Sequence, residues 1–365
     1  MGMLVAACVL SMAEVCLRLT LGPPPPAVQV YSRSESKGSW LELSNGLVSP
    51  TFQGRLGDAL RVAFLEGVFA ADSPQPRFAV LGGSVVHGGT PNMPSGEEFT
   101  ALLGQKVAAN GINLGNPGLD SHDLVGILEE LSVYRMDAWV VYAGHNDFGN
   151  GYFLQRYQGW PGGLRAHGRS VLEGFQLFWQ IRKLAPRAVS QGAEPNPSSQ
   201  FAAPEIGPAE KSHILMDYLR NMRRIVWLAG EAEVPLVLVV PAGALLLPPL
   251  GQCQEGVAMK LWRQGVAQHA DQNPEALNAL LEARDADCIP LRMPGEAQDG
   301  LRELAHAPHV WRVDAARELP REPGLDIAAS SLFVDHVHLS TAGHQALAEL
   351  IAPTLRAALP SAHPQ

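Results

Sequence analysis

A chain of 365 residues, 46% hydrophobic and 17% charged, can bury a sizeable core, and this excludes global disorder. Acidic residues outnumber basic ones, 36 to 27, for a formal charge of -9. No long basic run occurs, which argues against nucleic acid as a partner.

The first 22 residues stand apart. Met1 to Ala13 carry no charged side chain, Glu14 and Arg18 then interrupt, and apolar residues resume to Leu21. A spanning helix needs roughly 20 apolar residues. The charge-free part is shorter and fits a signal-peptide core or a short anchor; an ordinary buried N-terminal helix is the other reading. Leu4-Val5-Ala6-Ala7-Cys8 resembles a bacterial lipoprotein cleavage box, close to the start. Gly22-Pro23-Pro24-Pro25-Pro26 marks a sharp boundary and reads as a stiff, extended linker. The expectation is a leader and linker over 1–26, membrane attachment through residues 3–21, and a body over 27–365. That body is expected outside the cytoplasm, periplasmic or extracellular. Of the four cysteines, Cys8 and Cys16 lie in the leader. Cys253 and Cys288 either pair in an oxidising compartment or stay as buried free thiols.

Residues 28–75 show weak periodicity and many turn formers, as expected of a lead-in wrapping the core. A regular alternation then begins. Phe78-Ala79-Val80-Leu81 is a short apolar strand closed by Gly82-Gly83. A helix over 97–109, a strand at Ile112-Asn113-Leu114, and a helix capped by Asp120 or Ser121 and running to Tyr134 follow. Ala138 to Ala143 is a third strand. Residues 163–185 read as partly helical, and 186–210, rich in Pro, Ser, Ala and Gly, as a loop. A helix over 210–230 leads to a fourth strand, Val234 to Val240. Val310-Trp311-Arg312-Val313 is a fifth, and Thr341 to Ala358 the last helix. Between strands four and five, at about 242–308, lies a helical insert with helices over 257–270 and 274–284 joined at Asp271-Gln272-Asn273. Wholly apolar strands alternating with helices indicate a parallel sheet covered on both faces. Ligands of such sheets bind at the carboxyl ends of the strands.

Three of those ends, and one loop before the last helix, carry polar residues that could converge. Gly82-Gly83-Ser84 presents a hydroxyl at a sharp turn, either as a nucleophile or as a helix N-cap. In Asn113-Leu114-Gly115-Asn116-Pro117-Gly118, Gly118 offers a backbone N–H to an oxyanion or serves as a turn glycine. In Gly144-His145-Asn146-Asp147, the Asn146 amide donates to a developing negative charge or bonds its own backbone. In Asp335-His336-Val337-His338, an Asp three residues before a His can turn back to hold the ring, fixing its tautomer for a serine; the alternative is a surface loop.

Taken in order, Gly-Gly-Ser, Asn-x-Gly-x-x-Gly, Gly-x-Asn-Asp and Asp-x-x-His resemble the four blocks of the SGNH (GDSL-like) hydrolase superfamily over about residues 77–358. The resemblance implies a flavodoxin-like, three-layer α/β/α sandwich of about five parallel strands. It implies Ser84 as nucleophile, His338 as general base and Asp335 as its orienting carboxylate. The oxyanion hole would be Ser84 N–H, Gly118 N–H and the Asn146 amide, with no cofactor and no metal. The family's Gly-Asp-Ser has Gly83 in place of the Asp, a departure that touches local packing. The implied activity is that of a serine esterase, acting by acyl transfer on a small-molecule or saccharide ester, acyl-sugar or lipid-like. With a sugar hydroxyl as acceptor, the same machinery would make an O-acetyltransferase of an exported polysaccharide. A non-catalytic binding module is a further rival.

A metal-dependent reading competes. Asp335, His336, His338 and His344 are ligand types, His336 and His338 would share one face of an extended segment, and Gly144-His145-Asn146-Asp147 faintly resembles a motif of dinuclear metallophosphoesterases. The Asp-x-His that such enzymes place after the first strand is here Gly-Gly-Ser. Phe148, Tyr152, Phe153, Tyr157 and Trp160 cluster after Asn146, as pocket wall or as core.

Overall fold

The computed structural model describes residues 2–22, 40–50, 67–88, 96–149, 175–177, 180, 205–251 and 253–360, the side chains of 2–8 and 253–255 excepted. The Pro run 23–26, Tyr152, Phe153, Tyr157, Trp160, and most of 163–185 and 186–210 lie outside the described residues.

Five strands form one parallel sheet: β4 (Arg77–Gly82), β5 (Asn110–Gly115), β6 (Ala138–Tyr142), β7 (Leu236–Val240) and β8 (Val310–Asp314), in the spatial order β5-β4-β6-β7-β8. Every residue of β4, β6 and β7 is buried, because helices cover both faces. The alternation of a strand sorts its side chains between two cores. Ala79, Leu81, Trp139, Val141, Leu236 and Leu238 face one side, where they meet α4 (Ser121–Leu131) and α6 (Pro208–Glu231). Phe78, Val80, Val140, Val237 and Val239 face the other, against α3 (Phe99–Val107) and α11 (Thr341–Ala358). The result is a three-layer α/β/α sandwich whose strand order reverses between β4 and β6, the place where such sheets open a ligand crevice.

The helix ends follow their capping residues. Asp120 accepts from the backbone N–H groups of His122 and Asp123 while the Asp123 side chain accepts from Asp120 N–H, a complete capping box that starts α4. Ser340 Oγ accepts from Gly343 N–H and starts α11.

Two elements differ from the expectation. Part of the lead-in is a small antiparallel sheet, β1 (Leu41–Ser44), β2 (Leu47–Pro50) and β3 (Phe69–Ala70), which delivers Leu41, Val48 and Phe69 to the first core. Between β7 and β8, α7 (Cys253–Ala270) and α8 (Ala276–Ala286) form the expected helical pair around a core of their own that includes Leu245, Ala276, Leu280, Leu325 and Ile327. A third helix, α9 (Gly295–Leu304), buries Ala297 and Leu301 in the main core, so it acts as the crossover that covers the sheet.

Helix α1 (Gly2–Leu21) exposes Val9, Leu10, Met12, Val15 and Leu19, and buries Glu14. The Glu14 carboxylate accepts from the backbone N–H groups of Gln176 and Leu177, each at 2.8 Å, and from Arg18 Nε at 2.6 Å. Among the described residues, no helix is long and apolar enough to cross a membrane. Cys288 is disulfide-bonded and Cys16 is a free, exposed thiol; the side chains of Cys8 and Cys253 lie outside those described.

Candidate active site

The strand ends bring three of the four blocks to the crevice, and the loop before α11 adds the fourth. Ser84 opens the four-residue helix α2 (Ser84–His87) directly after β4. Its Oγ lies 2.7 Å from His338 Nε2, and His338 Nδ1 lies 2.7 Å from Asp335 Oδ2. Asp335 is an acceptor only, so Nδ1 carries a proton, and Nε2 is left to accept the Ser84 hydroxyl. The other Asp335 oxygen accepts the backbone N–H groups of Val337 at 2.9 Å and His338 at 2.8 Å. Partial burial opposes the charge on Asp335. The hydrogen bonds from the His338 ring and from these two N–H groups, with the nearby His338 charge, outweigh it and hold the carboxyl well below its usual value. The base is therefore oriented by an ionised partner across the working pH range.

The turn that Asp335 imposes on its own backbone also separates the two histidines. The segment is bent, with Val334 N–H bonded to His338 C=O, so His336 and His338 do not share a face as an extended strand would require. His336 donates through Nε2 to Pro248 C=O at 2.9 Å, away from Ser84. His344 accepts Phe99 N–H at Nδ1, 3.1 Å, and stacks on the Phe99 ring. The histidines considered as metal ligands are thus engaged in three separate directions. Among the described residues, no group of three His, Cys, Asp or Glu side chains could hold a metal ion.

The cleft around Ser84 is lined by Gly83, Val85, Leu119, Tyr142, Ala143, Gly144, His145, Asn146 and Val337. Asn146 belongs to α5 (His145–Gly149), directly after β6, and its Nδ2 donates to Leu119 C=O at 2.6 Å. That uses one amide hydrogen and leaves the second for the cleft. Gly118 immediately precedes Leu119 in the turn after β5, at φ +78°, a left-handed conformation that favours glycine. At position 83 a Cβ would come 2.1 Å from Asn146 Nδ2, so the glycine packs directly under that amide.

His145 lines the cleft but is spent on structure. It is buried, accepts Met293 N–H at Nδ1 (3.1 Å) and donates from Nε2 to Ala242 C=O (3.1 Å). Burial, aided by the His338 charge, pushes its pKa down to about 4, so it is neutral at working pH. It ties the Asn146 block to the loop after β7 and to the segment leading into α9. That loop reaches the fourth block in turn, because Ala244 N–H donates to His336 C=O at 2.9 Å. Arg292, buried, donates to Ala244 C=O at 3.0 Å and Leu247 C=O at 2.7 Å. None of Leu119, Ala242 or Arg292 was marked by the sequence, since each acts through a backbone group or from outside the motifs.

No family model matches the sequence, and no curated protein matches it. The structure is similar to a GDSL-like lipase from Bacteroides thetaiotaomicron at 13% identity and TM-score 0.42, over 80% of this chain and 93% of that one. It is similar to an acetylxylan esterase from Geobacillus stearothermophilus at 14% identity and TM-score 0.36, over 78% and 94% of the two chains. Another acetyl xylan esterase gives 13% identity and TM-score 0.36, over 76% and 99%. The four blocks of this chain stand around the carboxyl edge of a parallel sheet, with Ser84 paired to His338 and His338 to Asp335.

Proposed function

We propose that this chain is a serine esterase that transfers the acyl group of a small-molecule or saccharide ester to water. The observation that carries the reading is the continuous Ser84–His338–Asp335 relay, 2.7 Å at each link.

In the first half-reaction, Ser84 Oγ attacks the ester carbonyl carbon and its proton passes to His338 Nε2. Asp335 stabilises the resulting imidazolium. The carbonyl oxygen, now negative, takes hydrogen bonds from Ser84 N–H, Gly118 N–H and the free Asn146 amide hydrogen. Loss of one such donor typically costs about 3 kcal/mol in the transition state. Collapse breaks the C–O bond to the alcohol, which leaves with the proton from His338. Water then gives a proton to His338 and attacks the acyl-enzyme, and release of the acid restores Ser84.

We further propose that the body works outside the cytoplasm, held to a membrane or exported through α1. The apolar side chains that α1 exposes at Val9, Leu10, Met12, Val15 and Leu19 support this, as does the disulfide at Cys288, a bond that persists in oxidising compartments.

The test is exposure of the purified protein to a fluorophosphonate, compared with Ser84→Ala by intact mass, alongside p-nitrophenol release from its acetate. Labelling and turnover that both vanish in the variant are expected. A folded protein that neither labels nor turns over would remove the esterase reading.

A further inference from the structure

Two consecutive side chains of α5 grip the turn after β5 at two places. Asn146 Nδ2 holds Leu119 C=O. Asp147 holds Ser121: it accepts the backbone N–H at 3.2 Å on Oδ1 and 3.3 Å on Oδ2, and the hydroxyl at 2.5 Å on Oδ1. Ser121 Oγ accepts in turn from Asn221 Nδ2 of α6 at 2.9 Å. Asp147, Ser121 and Asn221 are all buried. Leu119 and Asn146 line the cleft, and Asp147 follows Asn146 in α5 without lining it.

This clamp joins the two segments to which the oxyanion donors belong. Gly118 precedes Leu119 in the turn, and Asn146 precedes Asp147 in α5. The rotamer of the Asn146 amide is set by Leu119 C=O, so any drift of the turn swings the second amide hydrogen out of line. Asn146 alone cannot prevent that drift, because its own side chain would follow it. Ser121 and Asp147 supply the fixed reference.

We propose that Asp147, acting through Ser121, is a positioning residue of the oxyanion hole that fixes the Gly118 turn relative to the Asn146 amide. The inference rests on the serine-esterase reading of the same cleft. The carboxyl is buried, with Asp120 and Asp123 nearby; these outweigh the Ser121 hydrogen bonds and push its pKa up to about 8.

The experiment compares the unmutated protein with Asp147→Ala, Asp147→Asn, Ser121→Ala, Asn146→Ala and Asn146→Ala/Asp147→Ala. The readouts are kcat and KM on p-nitrophenyl acetate, inhibition by an alkyl trifluoromethyl ketone (a mimic of the tetrahedral intermediate) and the thermal melt. For Asp147→Ala, kcat should fall about 10²-fold, the scale of a lost oxyanion donor, with KM within twofold and ketone affinity weakened in parallel. Asp147→Asn, which keeps an acceptor of the same size, should recover most of kcat, and Ser121→Ala should lose about tenfold. The double variant should be no worse than Asn146→Ala, as expected of residues acting as one unit. Unchanged kcat and ketone affinity in Asp147→Ala and Ser121→Ala, with only a lowered melt, would assign the clamp to folding and overturn the inference. Should Asp147→Ala not fold, Ser121→Ala and Asp147→Asn decide by the same readouts. Absence of turnover and of fluorophosphonate labelling in the unmutated protein would instead remove the esterase reading beneath it.

Discussion

Asn146 lies against Gly83 so closely that a Cβ on residue 83 would come 2.1 Å from its amide nitrogen and 3.4 Å from Leu119 C=O. The turn before Ser84 thus bears directly on the Asn146 side chain in this structure. Gly83→Ala must push the amide off Leu119 C=O or move the turn. The expected outcome is a fall in kcat/KM of about 10²–10³, the scale of a lost oxyanion donor, with the fold retained. Steady-state hydrolysis of p-nitrophenyl acetate checks it, and adding Gly83→Ala to Asn146→Ala should cost little more.

Asp335 has two duties on separate oxygens. Oδ1 folds the loop through Val337 N–H and His338 N–H, and Oδ2 holds His338 Nδ1–H. Asp335→Asn can keep the first duty but presents an amide to Nδ1, which drives the ring proton to Nε2 and points it at Ser84. We expect kcat to fall by about 10⁴, the order seen when a triad carboxylate is neutralised, with a melt close to that of the unmutated protein. Asp335→Ala should lower both. A kcat within tenfold of the unmutated value for Asp335→Asn would contradict the assigned role.

The parallel sheet was legible because β4, β6 and β7 are buried on both faces, and so read as unbroken apolar runs. The meeting of Ser84 with His338 and Asp335 was an implication of the family resemblance of the four blocks rather than of any one segment. The small sheet was not, because Leu41–Ser44 has one buried residue followed by three exposed ones and shows no alternation to read. Helix α9 was hidden by its composition, as only Ala297, Gln298 and Leu301 face inward. The clamp through Asp147 was invisible for another reason: its partners lie far apart in sequence, on three elements, and only the sheet topology makes them neighbours.

Arg292 braces the loop between β7 and α7. It is buried, donates to two carbonyls of that loop, and lies 3.6 Å from Asp287, also buried, which itself accepts the N–H groups of Leu250, Gly251 and Ile289. Arg292→Ala would leave Ala244 C=O and Leu247 C=O without this donor and Asp287 without this buried counter-charge. Breaking a buried pair from one side typically costs about 3–5 kcal/mol, and urea denaturation should read a loss of that order. Because the same loop meets His336 C=O through Ala244 N–H, kcat should fall as well. Full stability in this variant would show that Asp287 and the loop carbonyls are satisfied without the guanidinium.

Stability itself should rise with pH on the acid side and decline on the alkaline side, from the opposition of three buried groups. Burial lowers His145 and His344 from 6.5 to about 4, so between those values the unfolded chain binds more protons at both positions, and stability rises with pH. Burial beside Asp120 raises Asp147 from 3.8 to about 8, so across that span the folded chain binds the extra proton and stability falls as pH rises. Over the acidic span the two histidines outweigh the one carboxyl, so stability rises with pH. Above the unfolded histidine value the histidines are neutral in both states and Asp147 acts alone, so stability declines as pH rises. Asp147→Asn should abolish the falling limb and steepen the rising one. Urea denaturation of both proteins at intervals from pH 4 to 8 reads this directly, and a stability still climbing at pH 8 in the unmutated protein would mean that Asp147 is ionised in the folded state.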